Sequence, residues 1–243
     1  MPHFKKLIGD RIYLSPKTTD EEDVLKYTEW MNDFQITDYI GATAKLLTLD
    51  SEREWINNVA KNSGNYNFDI VDLNNDQLIG TIGLENIKQI ERNAILGIFI
   101  GDGSYRSNGF GTEAINLLLE YGFKYLNLHS IKLDLLSANE RAHKCYLKCG
   151  FKDTGADREA IFLNGKYYNR LHMDILENEF TGDYIRNKNV IIDLYICVKH
   201  GMRIPAVALQ LQEAVKEDIF QYTGITVAEV NVNVQQIVFG AAR

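Results

Sequence analysis

The sequence predicts an α/β (α+β) protein: a central sheet of mixed strand direction crossed by helices, followed by a small C-terminal βαβ module. Three observations carry this reading. Short apolar segments of strand character alternate with helical-period segments from residue 11 to about residue 175. The pattern then turns polar over Asn178–Lys188, the clearest boundary in the chain. Beyond it lie one apolar strand, one amphipathic helix and one further strand. The predicted domains are residues 1–180 and 188–243.

Arg11–Ser15 reads as the first strand, and Asp20–Trp30 as a helix whose acidic first turn suits the helix dipole. A second helix is expected over Ser51–Lys61, with Ser51 and Glu54 as its capping box. Asn67–Asp72 and Leu78–Leu84 are strands joined by the turn signal Asn74-Asn75-Asp76. Ala94–Ile100 is an apolar strand, followed by a glycine-containing loop from Gly101 to Gly111 and a helix to about Leu126. Ile131–Leu136 is a strand and Asn139–Cys149 a helix; strands at Glu159–Leu163 and Tyr167–Ile175 finish the first module. In the second, Val190–Val198 and Ile225–Val234 are strands around a helix over Ile204–Tyr222. Val207, Leu211, Val215 and Ile219 give that helix a single apolar stripe.

Of 243 residues, 45% are hydrophobic and 24% charged, with three prolines, enough for a sizeable core and for uninterrupted elements. A net charge of -7 argues against nucleic acid, whose phosphates need a basic face, and is compatible with a cationic partner such as an amine. Cys145, Cys149 and Cys197 have no framework spacing and read as reduced thiols of a cytoplasmic protein. No metal site is expected, since no second ligand pair accompanies Cys145 and Cys149. Met1–Asp10 holds two lysines and no long apolar run, so no signal peptide is expected, and no stretch is apolar enough to span a bilayer.

The most informative segment is Arg106-Ser107-Asn108-Gly109-Phe110-Gly111-Thr112, between an apolar strand and a helix. Two glycines at alternate positions let the backbone turn tightly and aim successive N–H groups at one point. A helix N-terminus and the Arg106 charge complete a site suited to a pyrophosphate. The plain alternative is a loop that uses glycine only to turn. A Walker A loop is excluded because no Gly-Lys-Ser/Thr follows, and the dinucleotide fingerprint Gly-x-Gly-x-x-Gly is absent.

Downstream lie Asn139-Glu-Arg-Ala142, Tyr146 and Gly150-Phe151. Arg106-x-x-Gly109-x-Gly111 resembles the acetyl-CoA loop of the GNAT superfamily of N-acetyltransferases, and the Asn139–Phe151 segment resembles that superfamily's second cofactor-contacting helix. The likeness covers about residues 8–178 and looks closest to the branch of spermidine and ribosomal-protein N-terminal acetyltransferases. It implies the GNAT fold, in which the strands at 94–100 and 131–136 run parallel and splay apart, with pantetheine lying between them like an added strand. It further implies that Phe99 and Ile100 offer backbone to pantetheine and that residues 106–112 hold the pyrophosphate. Asn139 would bond the pantetheine arm and Ala142 would leave room for it.

Acetyl transfer to an amine needs a neutral amine, a stabilised oxyanion and a protonated leaving thiolate. Tyr146 matches the family tyrosine that gives the thiolate its proton; its other reading is an aromatic packed under the helix. A backbone N–H around Ile98 and Phe99 would hold the oxyanion. The base is open among Glu85, Asp134 and a water chain. Glu85 also reads as a solvated carboxylate at a strand end, and Asp134 as the partner of Lys132 in a surface ion pair. The acceptor would be a small-molecule amine or a protein N-terminus. A different class of reading makes the chain an acetyl-CoA-binding scaffold with little turnover.

Ile192–Gly201, Ile204–Ala208 and Val227–Val234 resemble the second half of the alkaline-shock-protein family domain of Gram-positive bacteria, recognisable over about residues 188–239. A βαβ unit this short buries too little apolar surface to stand alone. It is therefore expected to pack on the first module or on a second copy, making a homo-oligomer.

Overall fold

A computed structural model of the protein describes residues 3–61, 64–186, 190–223 and 227–238. These divide into two compact units, with the change between Ile185 and Arg186. The first unit runs β1 (Leu7–Ile8), β2 (Ile12–Pro16), α1 (Glu21–Met31), α2 (Phe34–Ile40), α3 (Leu49–Lys61), β3 (Tyr66–Asp72), β4 (Leu78–Lys88) and β5 (Asn93–Ile100). It continues with α4 (Phe110–Glu120), a π-helical turn (Tyr121–Tyr125), β6 (Ser130–Leu136), α5 (Glu140–Lys148), β7 (Lys152–Leu163) and β8 (Lys166–Leu176).

The eight strands form one sheet in the order β1-β2-β3-β4-β5-β6-β8-β7. Each neighbouring pair is antiparallel except β5 and β6, which run parallel. Strand alternation sorts side chains onto two faces. On one, Ile70, Ile82, Leu84, Leu96, Ile131 and Leu133 meet Ile115, Leu118 and Leu119 of α4 in the main core. On the other, Val24 and Tyr27 of α1 and Ile56 of α3 pack with Leu78, and Trp30 and Phe99 close the edge of this smaller cluster. Burying one such aliphatic side chain contributes roughly 1.5–3 kcal/mol.

The structure departs from the sequence reading at several element ends. The α2 helix was not expected: it is a short turn capped by Asp33, whose side chain accepts from Gln35 N, and ended by Gly41 at φ 70°. Helix α3 starts before Ser51. Its reciprocal cap joins Thr48 and Ser51, Ser51 N donating to Thr48 Oγ1 at 3.2 Å and Thr48 N to Ser51 Oγ at 2.9 Å, so the Ser51–Glu54 box does not form. Asp20 does cap α1, accepting from Glu22 N. β7 begins at Lys152 rather than Glu159, a fully exposed edge segment whose polar sequence hid its strand character. β4 extends past Leu84 to Lys88, which places Glu85 within the strand.

The end of the first unit is anchored by a buried acid. Glu120 is fully buried, and its Oε2 accepts from Tyr184 N and, at 2.9 Å, from Ile185 N. Lys124 Nζ lies 3.3 Å from the other oxygen. Ile185 itself belongs to the main core.

The second unit contains β9 (Val190–Lys199), α6 (Ile204–Thr223) and β10 (Val227–Val238). The two strands pair in parallel, as a βαβ connection requires. Val207, Leu211, Val215 and Ile219 are half-buried, while most of the intervening positions are exposed. Val198, Val227 and Val230 are buried, whereas Asp193, Tyr195 and Cys197 point to an uncovered face. Residues 188–189, 224–226 and 239–243 of the expected module lie outside the described residues. No described helix is long and apolar enough to cross a membrane.

Candidate active site

β5 and β6 pair only at Asn93–Ser130, Ala94–Ile131 and Ile95–Lys132. Beyond Ile95, β5 continues against β4 to Ile100, while β6 continues against β8 to Leu136. The two strands therefore part in the middle of the sheet, and the β6-side backbone of residues 96–100 has no strand partner. Unpaired buried-sheet backbone is costly unless something bonds it. A gap of this kind suits an extended ligand with amide groups.

At the mouth of the gap lies the loop 106–112. Gly109 holds φ 87° as the N-cap of α4 and supplies no side-chain cap, so the first N–H groups of the helix are left without a side-chain acceptor. Ser107 also lies in the left-handed region, at φ 62°. Gly111 is different: its φ is not positive, and a Cβ there would meet only Ile100 Cγ1, at an ordinary 3.9 Å. Neither backbone strain nor internal packing demands glycine at 111, and the missing side chain leaves the backbone there open to close approach.

The loop is braced from outside. Arg11 Nε donates to Glu113 Oε2 at 2.9 Å, Arg11 Nη1 donates to the Asn108 carbonyl at 3.0 Å, and the guanidinium lies 4.4 Å from the centre of the Phe110 ring. Arg106 turns inward: its Nε donates to the Ile100 carbonyl at 2.9 Å and its Nη2 to the Gly101 carbonyl at 2.7 Å. The Ile100 carbonyl is thereby occupied, and Arg106 also lines an open cleft of about 700 Å³. Arg106, Asn139 and Arg141 line one side of that cleft, and Phe34, Asp38 and Tyr39 of α2 line the other.

Helix α5 is tied to the same loop. Thr112 Oγ1 lies 3.3 Å from Cys145 Sγ, and Cys149 Sγ lies 3.8 Å from the Thr112 carbonyl. The three cysteines are free, and the Cys145 thiol is held below its usual range, first by its hydrogen bond with Cys149. Asn139 caps α5, its Oδ1 accepting from Ala142 N at 3.1 Å, which leaves its amide N–H₂ for another partner. Tyr146 is buried edge-on against Phe151, with ring centres 5.9 Å apart. Burial pushes its phenol well above the ordinary tyrosine value, helped by the neighbouring Cys145 and Cys149. It therefore keeps its proton at every physiological pH.

The two carboxylates named as base candidates share a sheet face. Glu85 pairs in register with Ile95, and Ile95 with Lys132, two residues from Asp134. Glu85 is exposed and makes no hydrogen bond or ion pair among the described residues. Asp134 is not paired with Lys132: its Oδ1 lies 2.6 Å from His172 Nδ1 on β8. His172 Nε2 lies 3.1 Å from Asp157 Oδ2 on β7. The hydrogen bonds to Asp134 and Asp157 raise the imidazole's pKa. His172 and Asp157 escaped the sequence reading because neither sits in a motif; only the β6-β8-β7 register joins them to Asp134. Arg11 and the α2 wall were missed for the same reason, and Arg141, inside the Asn139–Ala142 segment, carried no signal of its own.

Among the described residues one group has metal-ligand spacing: His3, Asp23 and Asp69, with ligand atoms within 4.8 Å of one another. A cation already sits there, since Lys17 Nζ is 3.0 Å from Asp69 Oδ1.

A mixed sheet whose parallel strands separate beside a glycine loop and an uncapped helix start is the frame of one class of transferase. The chain belongs to the acetyltransferase (GNAT) domain family, whose model matches residues 11–152. It is similar to the spermidine N(1)-acetyltransferase of Vibrio cholerae, 37% identical over 103 residues, which are 42% of this chain and 59% of that protein. The Escherichia coli K12 protein of the same description is 32% identical over 105 residues, 43% of this chain and 56% of its own length. The aligned stretches thus span little more than half of these curated relatives. The crystal structure of the Vibrio cholerae spermidine N-acetyltransferase with CoA and spermine superposes with a TM-score of 0.64 at 28% identity, covering 71% of this chain and 99% of that one. Residues 184–239 match a second model, whose family is described as "Asp23 family, cell envelope-related function", a family name unrelated to residue 23 here.

Proposed function

We propose that this protein is an N-acetyltransferase that moves the acetyl group of acetyl-CoA to a primary amine by direct attack in a ternary complex. The observation that carries the reading is the parting of β5 and β6 after Ile95, opening onto the uncapped start of α4. Pantetheine amides would pair with the bare backbone near Ile98 and Phe99, and residues 106–112 would take the pyrophosphate. The Asn139 amide would donate to the pantetheine arm, and the small Ala142 would leave room beside it. A backbone N–H near Ile98 would hold the oxyanion, and Tyr146 would protonate the departing thiolate.

The acceptor we propose is a small cationic amine of the polyamine type. Support comes from the spermine bound to the solved relative, from the acidic net charge of -7, and from Glu85, Asp134 and Asp157 on the open sheet face. Release of free CoA with a panel of polyamines, N-terminal peptides, amino sugars and aromatic amines tests this. Turnover is expected with polyamines; turnover confined to peptides would reassign the acceptor, and none at all would leave an acetyl-CoA-binding protein.

We assign residues 188–239 to self-association rather than chemistry. Their two-stranded sheet is covered by α6 on one face only, and both strand edges are free among the described residues. A chain ended after Arg186 keeps the Glu120 anchor at Tyr184 and Ile185. It is expected to bind acetyl-CoA as the full chain does and to show a lower oligomeric state by light scattering. An unchanged oligomeric state would move the interface to the first unit.

A further inference from the structure

The route of the amine proton is open in the family frame, and the sheet face beside the strand gap carries an answer. Continuing the parallel register past Ile95–Lys132 sets Gly97 opposite Asp134 across the gap. A Cβ built on Gly97 would meet nothing within 4 Å, so there is open space over β5 at that level. The space is bounded further along β5 by Phe99, which packs edge-on against Trp30 and Tyr27. An acceptor amine placed over Gly97 would have the bare β5 backbone beneath it and the Asp134 carboxylate beside it.

Asp134 is not a free surface acid. It meets His172 Nδ1 at 2.6 Å, and His172 Nε2 is held at 3.1 Å by Asp157. The imidazole thus lies between two carboxylates with a fixed ring plane, about one third exposed and in reach of bulk water. Other charges on the surrounding strands are Lys132 on β6, Lys152, Asp153, Arg158 and Glu159 on β7, and Lys166, Arg170 and Asp174 on β8. Lys152 is turned to Glu179.

Resting on the acetyltransferase reading above, we propose that Asp134 and His172, backed by Asp157, form the relay that carries the amine proton away. The bound ammonium first gives one proton to bulk water; as the neutral nitrogen bonds to the acetyl carbon, the further proton it must shed passes to the Asp134–His172 pair and ends on the imidazole. The C–S bond breaks, and the thiolate takes the Tyr146 proton. The imidazole returns its proton to water, and water restores the phenol. Asp134 is the catalytic residue of the pair, His172 its proton store, and Asp157 the positioning residue. The relay needs neutral His172 at the start of each turnover. Its raised pKa therefore sets an acid limb above about pH 6.5, the unperturbed histidine value.

The test uses the full chain with acetyl-CoA and spermidine. Asp134→Asn should lower kcat about 10²-fold with CoA affinity unchanged by calorimetry. His172→Asn keeps a donor for Asp134 but cannot titrate; it should lose the acid limb of kcat/KM and about 10-fold or more in kcat. Asp157→Asn removes one carboxylate from the imidazole and should move the limb to lower pH while largely keeping the rate above it. NMR titration of the imidazole should show the same shift without turnover. If the wild type turns over and His172→Asn leaves kcat and the acid limb unchanged, the relay is wrong and the acetyltransferase reading stands. If no amine is acetylated by the wild type, both fall together.

Discussion

Two clusters of acids, bases and hydroxyls lie on the same face of the sheet, and they differ in almost every physical respect. Under α1, Lys17 Nζ stands 3.0 Å from Asp69 Oδ1 and 3.6 Å from the centre of the Tyr27 ring, with side-chain exposures of 1% for the lysine and 0% for the aspartate. Tyr27 donates to Asp69 Oδ1 at 2.7 Å, Thr18 N donates to Asp69 Oδ2, and Thr18 Oγ1 donates to Asp23. At the strand gap, Asp134, His172 and Asp157 are 51%, 34% and 55% exposed. A charge sealed from water must be paired, as Lys17 is with Asp69, which fixes geometry and keeps the pair from exchanging with solvent. A half-exposed set can exchange protons with water and with a ligand. Proximity of titratable groups is common to both clusters; access to solvent separates scaffold from chemistry.

The comparison can be broken first at Asp69. Asp69→Asn would leave the Lys17 ammonium buried beside a neutral amide, at a cost of about 3–5 kcal/mol. Urea denaturation should show that loss as a lowered midpoint, since the site lies inside the first unit. A loss of turnover without a loss of stability would mean that the buried cluster belongs to the chemistry.

Tyr146→Phe comes next and should do the reverse. It keeps the ring against Phe151 but removes the proton, so turnover should fall about 10²-fold, near 2.7 kcal/mol of barrier, with CoA affinity and the urea midpoint unmoved. Full turnover, with chemistry shown to limit the rate, would return Tyr146 to the core aromatics.

Gly111→Val should act on binding alone, weakening CoA by about tenfold, roughly 1.4 kcal/mol. The valine side chain meets little of the protein itself, because only Ile100 approaches the new Cβ. Unchanged affinity by calorimetry would make the loop a mere turn.

The smallest effect is expected from the pH dependence of stability at His3 and Asp23, 3.0 Å apart. The hydrogen bond to Asp23 raises the His3 pKa against the effect of burial. That stabilisation is complete below the unfolded value of about 6.5 and is lost as pH rises through the higher folded value. For Asp23, burial acts upward, but the bonds from His3 and Thr18 outweigh it and hold the carboxyl low. Its contribution is complete above about 3.9 and is lost as pH falls through the lower folded value. Both are therefore present between about pH 4 and 6.5. His3→Ala should flatten the upper edge of that window in thermal unfolding curves and leave CoA release at a fixed pH alone.

Much of this architecture was legible in the sequence because it rests on local rules. Period-two and period-3.6 patterns marked nearly all the longer elements, Asp20 marked the start of α1, and the polar stretch at 178–188 lay at the division between units. The glycine loop was legible because Gly109 answers a local backbone demand, φ 87°, that few other residues meet. The exposed edge strand β7 was only partly legible, since an edge facing water on both sides carries no hydrophobic alternation.

The sequence by itself determined the kinds of elements, their order and the glycine turn of one loop, because each depends on residues within a turn or two of one another. Tertiary structure alone decided where β5 and β6 part and that Asp134 meets His172 rather than Lys132. Those facts depend on strand register between segments far apart in the chain. A shift of one residue in that register would send each of these side chains to the other face of the sheet.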